Sequence, residues 1–331
     1  MKASRENRNL AILGLLKHHG GLLTSAELTE GLAEQGFELS ERTVRLYLQE
    51  LDAQGLTENQ GRRGRLITPK GAAELDAART LERVGFLSAK IDQMSYGMSF
   101  DLMRRTGTIV VNTSLVKREQ LLFCLDKVCR VFERGYAMGR LLSLLKPGER
   151  VGDMVVPEGM LGFCSVCSIT LNGVLLKHGI PMRSRFGGLI ELVDGRPLRF
   201  LEMINYDGTT IDPLEVFIRS AMTDYIGAVD RGTGRIGASF REVPDDSRDL
   251  VVELAQKLDD VGLGGFMKIG MPGQDILGIP VDDGRVGAVV IGGLNPMAIF
   301  EELGIRVQSR ALSGLLEFTR LFPYDQLADR V

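Results

Sequence analysis

Apolar residues in the first seventy positions recur at helical spacing in three short blocks. In "NRNLAILGLLKHHGG", Leu10, Leu13 and Leu16 share a face, and Gly20-Gly21 ends the run as a C-cap. In "TSAELTEGLAEQG", Thr24 and Glu27 have capping-box spacing ahead of Leu28 and Leu32. In "LSERTVRLYLQELDAQGL", Ser40 can cap a third helix that buries Val44, Leu48 and Leu51 and closes at Gly55. The pattern then changes period. "LTENQGRRGRLITPKG" reads as strand, Gly-Arg-Arg-Gly turn and strand, a hairpin with a basic tip. Three helices followed by such a wing predict a winged helix-turn-helix over residues 1–71.

From residue 72 to about 97 a helical pattern through Leu75, Ala78, Leu81, Val84, Leu87 and Ile91 predicts one connector helix. Beyond it, β-rich and amphipathic runs alternate, and they do so twice. "GTIVVNTSLV" is answered by "GRIGASFREV", "KPGERVGDMVVPEG" by "MPGQDILGIPVDDG", and "GFCSVCSIT" by "GAVVIGG". "LNGVLLKHGIPMRSR" at 171–185 returns as "LNPMAIFEELGIRVQSR" at 294–310. The expectation is a larger α/β domain, 98–331, with an internal duplication whose halves run over about 107–233 and 234–331. The first half carries an insertion. It holds a hairpin at Asp194-Gly195 and a helix with Asp212 as N-cap, Pro213 at its first position and Glu215 three residues past the cap.

Charge sharpens the first domain. Net charge is only −3, yet five of the ten basic residues in 1–70 lie in "RTVR" and "RRGR". Local patches make a nucleic-acid footprint where net charge does not. On a helical wheel Arg42, Arg45 and Gln49 point away from the apolar stripe, with Thr43 at its edge. They are the candidates for the major groove, and Arg62, Arg63 and Arg65 of the wing for phosphates or the minor groove. Leu46 also faces outward. A trihelical domain of this kind can bind protein instead.

In the second domain, "CSVCSITLNG" carries a strand straight into a helix start. Ser168, Thr170 and Asn172 lie where free N–H groups and the helix dipole favour an anion. Arg183 and Arg185 follow, and guanidinium forks suit carboxylates. No Gly-rich phosphate loop of standard spacing occurs, so a small dicarboxylate fits better than a nucleotide. The alternative leaves Ser and Thr as helix caps and the arginines as surface pairs. Cys164 and Cys167 form a single C-x-x-C that strand alternation would split across two faces, so neither a metal nor a cofactor is expected. No catalytic motif is present, although a small-carboxylate enzyme with an appended winged helix stays open. Four cysteines, no secretory h-region and no apolar run of spanning length predict a cytoplasmic protein without a membrane segment.

A winged helix followed by "CSITLNGVLLKHGIPMRSRFGGLIEL" and "YDGTTIDPLEVFI" resembles the NrpR family of nitrogen-regulatory transcriptional repressors. The resemblance implies a homo-oligomer, dimer first, that binds pseudo-palindromic double-stranded operators. It also implies an effector, 2-oxoglutarate, that releases the DNA. Relatives often carry two regulatory domains where this chain has one, so a different effector is the alternative within the same build.

Overall fold

The computed structural model describes residues 2–34, 36–82 and 86–331, with side chains described from residue 8 onward except 76–82. The chain divides into two compact units, Met1–Val84 and Gly85–Val331.

The first unit holds α1 (Lys2–His19), α2 (Ser25–Glu34), α3 (Glu41–Ala53), the hairpin β1 (Thr57–Asn59) and β2 (Arg65–Ile67), and α4 (Pro69–Glu82). Helices α2 and α3 start where their caps predict. Glu27 Oε2 accepts from the Thr24 N–H at 2.7 Å and Thr24 Oγ1 accepts from Glu27 N–H at 3.3 Å, while Ser40 Oγ accepts from Thr43 N–H at 3.2 Å. Ile12, Leu13, Leu16, Leu28, Leu32, Val44, Leu48 and Leu51 form the core. The wing folds back so that Arg65 and Leu23 exchange backbone hydrogen bonds. That approach requires glycine at 64. Its φ is +111°, and a Cβ there would lie 2.4 Å from the Leu23 carbonyl oxygen.

The second unit begins with α5 (Phe86–Gly97), β3 (Thr108–Val116), α6 (Arg118–Glu133) and β4 (Leu141–Leu145). A short hairpin, β5 (Arg150–Val151) and β6 (Met154–Val155), leads to β7 (Leu161–Val166), α7 (Ile169–Lys177) and β8 (Arg183–Val193). Then come β9 (Arg196–Asn205), α8 (Pro213–Arg219), α9 (Tyr225–Arg231) and β10 (Gly234–Pro244). The chain closes with α10 (Arg248–Asp260), β11 (Phe266–Ile269), β12 (Arg285–Ile291), α11 (Asn295–Glu302), β13 (Gln308–Glu317), β14 (Phe322–Pro323) and α12 (Leu327–Arg330).

Among the described residues this unit has two five-stranded sheets, ordered β13-β3-β7-β4-β14 and β11-β12-β10-β8-β9, with every pairing antiparallel. Helices alternate with strands along the chain, yet no two parallel strands touch. β3 and β4 form a split β-α-β around β7, and β10 and β11 form another around β12. The two paths are the same. Each then hands its last strand across: β8, which follows α7, joins β10, and β13, which follows α11, joins β3. The expected halves at 107–233 and 234–331 are therefore interleaved, and neither encloses its own sheet.

Of the connector expected over 72–97, α4 reaches Glu82 and α5 begins at Phe86, and residues 83–85 between them lie outside the described residues. Arg183 and Arg185 follow the Leu-Asn helix as expected and lie in β8. The hairpin and its following helix form as expected. Asp194 and Gly195 both take positive φ, at 51° and 73°, and the Asp212 carboxylate accepts from Leu214 N–H at 2.9 Å.

Candidate effector site and nucleic-acid interface

β7 delivers Cys167 and Ser168 to the N-terminus of α7, and β10 runs past that end. Ser239 and Arg241, two apart on β10, share one face. Arg241 is fully buried. Its Nη2 donates to Ser168 Oγ at 2.6 Å, Nη1 to the Ser168 carbonyl at 3.0 Å and to Asn172 Oδ1, and Nε to Ser239 Oγ at 3.1 Å. Asn172 Nδ2 donates in turn to Ser184 Oγ at 3.2 Å. All these acceptors are neutral. Among the described residues no carboxylate forms an ion pair with Arg241. A buried charge without a counter-ion is expensive. Burial pulls its pKa down from the ordinary arginine value, and only the negative ends of Tyr206, Cys167 and Asp212 oppose that pull.

Beside Ser168 lies a small cavity of about 10 Å³, lined among others by Cys167, Tyr206, Asp212 and Gly293-Leu294, just before α11. It is the size of one water molecule. Burial drives the Tyr206 hydroxyl pKa upward and raises the Cys167 thiol to about 11. Asp212 is pushed up to about 6, first by burial and then by Glu215. A folded pKa above the unfolded one gives stability that is complete below the unfolded Asp value of 3.8 and lost as the pH rises toward 6. Asp212→Asn keeps an oxygen to cap α8 and removes the ionisation. Its unfolding free energy, measured by denaturant melts, should exceed the wild type's by a gap that widens from pH 4 to pH 7, to roughly 2–3 kcal/mol. A gap independent of pH would contradict this assignment.

Of the five sequence candidates, the structure brings Ser168 and Asn172 together and separates the rest. Thr170 is buried, with its Oγ1 donating to the Val110 carbonyl at 3.0 Å, a bond that seats α7 on β3. Arg183 and Arg185 face the opposite side of the sheet. Ser184 is the cross-strand partner of Arg241, so its neighbour Arg183 sits opposite Glu242, and alternation turns those side chains away. Arg185 donates to Glu242 Oε1 at 2.7 Å, and Arg183 pairs with Asp282 at 2.8 Å. Arg241 itself was missed. Its signal was present: an arginine two places after Ser239, on the same face of the strand "GRIGASFREV".

In the first unit α3 exposes Arg42 and Gln49, and Leu46 is 56% exposed. Thr43 is half-buried and its hydroxyl hydrogen-bonds that of Ser40. Arg45 is held by Glu41 at 2.6 Å and donates to Ser25 Oγ at 3.1 Å. Arg62 and Arg63 stand exposed in the single 3₁₀ turn at the wing tip. Arg65 differs. Its Nε pairs with Asp52 at 2.9 Å and its side chain is 14% exposed, so it anchors the wing to α3.

Residues 84–322 match the family described as NrpR regulatory domains NRD1 and 2. The chain belongs to the NrpR family. Residues 10–75 match a second family, the winged-helix domain of ribonuclease R. Global nitrogen regulator NrpRI of Methanosarcina mazei is 29% identical over 95% of this chain and 96% of its own length. Global nitrogen regulator NrpR of Methanococcus maripaludis is also 29% identical over 95% of this chain, which spans 55% of that longer protein. The crystal structure of a nitrogen repressor-like protein from Methanococcus jannaschii superposes with a TM-score of 0.61, at 24% identity, over 71% of this chain and 97% of that one. That likeness shows a shared fold over the part of the chain it covers. Among the described residues no helix is long and apolar enough to cross a membrane, and no group of three or more His, Cys, Asp or Glu is placed to hold a metal.

Proposed function

We propose that this NrpR-family chain is a transcriptional repressor of nitrogen-assimilation genes that binds operator DNA as a homodimer and senses 2-oxoglutarate. The observation that carries the effector reading is Arg241, a fully buried guanidinium with only neutral partners at the start of α7. Such a group keeps part of its charge uncompensated until an anion arrives, and a carboxylate supplies that compensation with charge-assisted hydrogen bonds. The regulatory role rests on the names of the relatives, and the dicarboxylate identity on the charge of the site.

The repeated "Leu-Asn" segments and the matching strand paths support an internal duplication. Within it, Ser114 of β3 is the counterpart of Arg241, because Ser114 stands opposite Ser309 as Arg241 stands opposite Ser184. Ser114 and Ser309 simply hydrogen-bond each other at 2.7 Å. One effector per chain follows. Calorimetric titration of the full-length protein with 2-oxoglutarate, beside a gel shift on its own upstream region, tests the reading. Heat with a stoichiometry near one per chain and a weakened shift are expected, and the absence of both heat and effect would overturn the effector claim.

On the DNA side, α3 enters the major groove with Arg42, Thr43, Arg45 and Gln49, and Arg62 and Arg63 reach phosphates. Arg45 must leave Glu41 to do so. Alanine at Arg62 or Arg63 should lower the slope of log affinity against log salt by about 1 for each phosphate no longer neutralised, uniformly across sequences. An unchanged slope would remove the wing from the interface.

A further inference from the structure

The small cavity has a neighbour. A surface cleft of about 210 Å³ is lined by Phe86, Leu87 and Lys90 of α5, Asp212 and Glu215 at the start of α8, and Arg310 of β13. Asp212 and Ala311 line both spaces, so cleft and cavity share a wall. Ile91 of α5, next to Lys90, closes the cavity from the inside.

The cleft carries two cations and two carboxylates, and they differ in what they are bonded to. Lys90 is half-buried, and among the described residues neither its Nζ nor the Arg310 guanidinium has a hydrogen-bonding or ion-pair partner. Burial and then the Arg310 charge hold the Lys90 pKa below the ordinary lysine value. The two carboxylates in the same cleft are engaged elsewhere. Asp212 accepts from Leu214 N–H, while Glu215 accepts from Ala311 N–H and pairs with Arg219 at 3.6 Å. Two cations, unpaired among the described residues, thus line a cleft beside the cavity that Ser168 lines, and Arg241 is bonded to Ser168.

We infer that this cleft is the subsite for the second carboxylate of the effector, held by Lys90 and Arg310, and that α5 is the element the ligand moves. The inference rests on the effector reading given above. A dicarboxylate cannot occupy a cavity the size of one water, so its entry must displace part of the wall. α5 borders both spaces, the cavity through Ile91 and the cleft through Leu87 and Lys90, and it packs against α7. A ligand with one carboxylate at Ser168 and the other at Lys90 ties these two helices together. α5 is also the first element of the regulatory unit after the chain leaves the winged helix. In this proposal the ligand-bound and operator-bound states differ in the position of α5. A ligand that binds one position of α5 more tightly shifts operator affinity by the same factor, typically about 5- to 150-fold.

The experiment compares 2-oxoglutarate with 2-oxobutyrate, which lacks the second carboxylate, on the full-length protein and on Lys90→Ala and Arg310→Ala. Both substitutions are at the surface end of the site and spare the core. Wild type should bind 2-oxoglutarate more tightly than 2-oxobutyrate by about tenfold or more, the scale of one charge-assisted hydrogen bond. Lys90→Ala should erase most of that preference by weakening 2-oxoglutarate alone. Hydrogen exchange of the α5 amides should slow when 2-oxoglutarate is added to wild type. If 2-oxoglutarate binds and both variants bind it as wild type does, the subsite is wrong while the effector reading stands. If α5 exchange is unchanged on binding, α5 is not the moving element. If wild type binds neither acid, the effector reading and this inference fall together.

Discussion

Arg241→Met is expected to leave the protein folded, with stability equal to or above the wild type's, and to lower 2-oxoglutarate affinity by about a hundredfold or more, the scale of two charge-assisted hydrogen bonds. The two halves of that result have one cause. Arg241 is fully buried and surrounded by neutral acceptors, so its desolvation is not offset by a counter-ion in the free protein. Apolar replacement of a buried charge by a side chain of similar volume is commonly neutral or stabilising by about 1–4 kcal/mol. Some of that gain is returned, because Ser168 Oγ and Asn172 Oδ1 lose a donor, each at about 1–3 kcal/mol if no water replaces it. A purely structural arginine would behave in the opposite way, with a large loss of stability on replacement. Denaturant midpoints together with calorimetric titration separate the two cases. A strongly destabilised Arg241→Met would return the residue to the core. Operator binding without effector should be unchanged, since the substitution lies in the other compact unit.

Leu48→Ala is expected to melt the winged helix alone. Leu48 is fully buried in the small core of the first unit, on the same face of α3 as Val44 and Leu51. Buried Leu→Ala changes cost about 3–5 kcal/mol through lost transfer energy and the cavity left behind. A unit of this size rarely holds more than that in reserve. In differential scanning calorimetry the transition of the first unit should fall by more than about 10 °C, while that of the second keeps its place. Gel shifts at physiological temperature should fail although calorimetry still registers 2-oxoglutarate. A single transition that moves as a whole would show that the units unfold together.

Local features were the most legible in the sequence. Thr24 with Glu27, Ser40, Asp194-Gly195 and Asp212-Pro213 each act within three or four residues, so their geometry follows from spacing alone. The apolar stripes of the first unit were legible for the same reason, as was the wing. Legibility stopped at pairings between distant strands. Ser168 and Asn172 were identified from the helix start they occupy, yet their partner Arg241 is 73 and 69 residues away. Thr170 shares the same helix start and serves only to bond Val110. Arg183 and Arg185 look like ligand arms in a one-dimensional reading. A bulge between Phe240 and Arg241 sets the register that turns them to Glu242. Register is a property of two strands and cannot be seen in one.

By itself the sequence determined the helix caps, the apolar stripes of the first unit and the alternation of strand and helix in the second. Those depend on periodicity and on hydrogen bonds between near neighbours. Only the tertiary structure decided that β8 pairs with β10 and β13 with β3, that Arg241 rather than Arg183 or Arg185 reaches Ser168, and that Arg65 belongs to Asp52. Which cation is left without an anion is settled by burial and strand pairing across the whole fold, and that imbalance is where the candidate site lies.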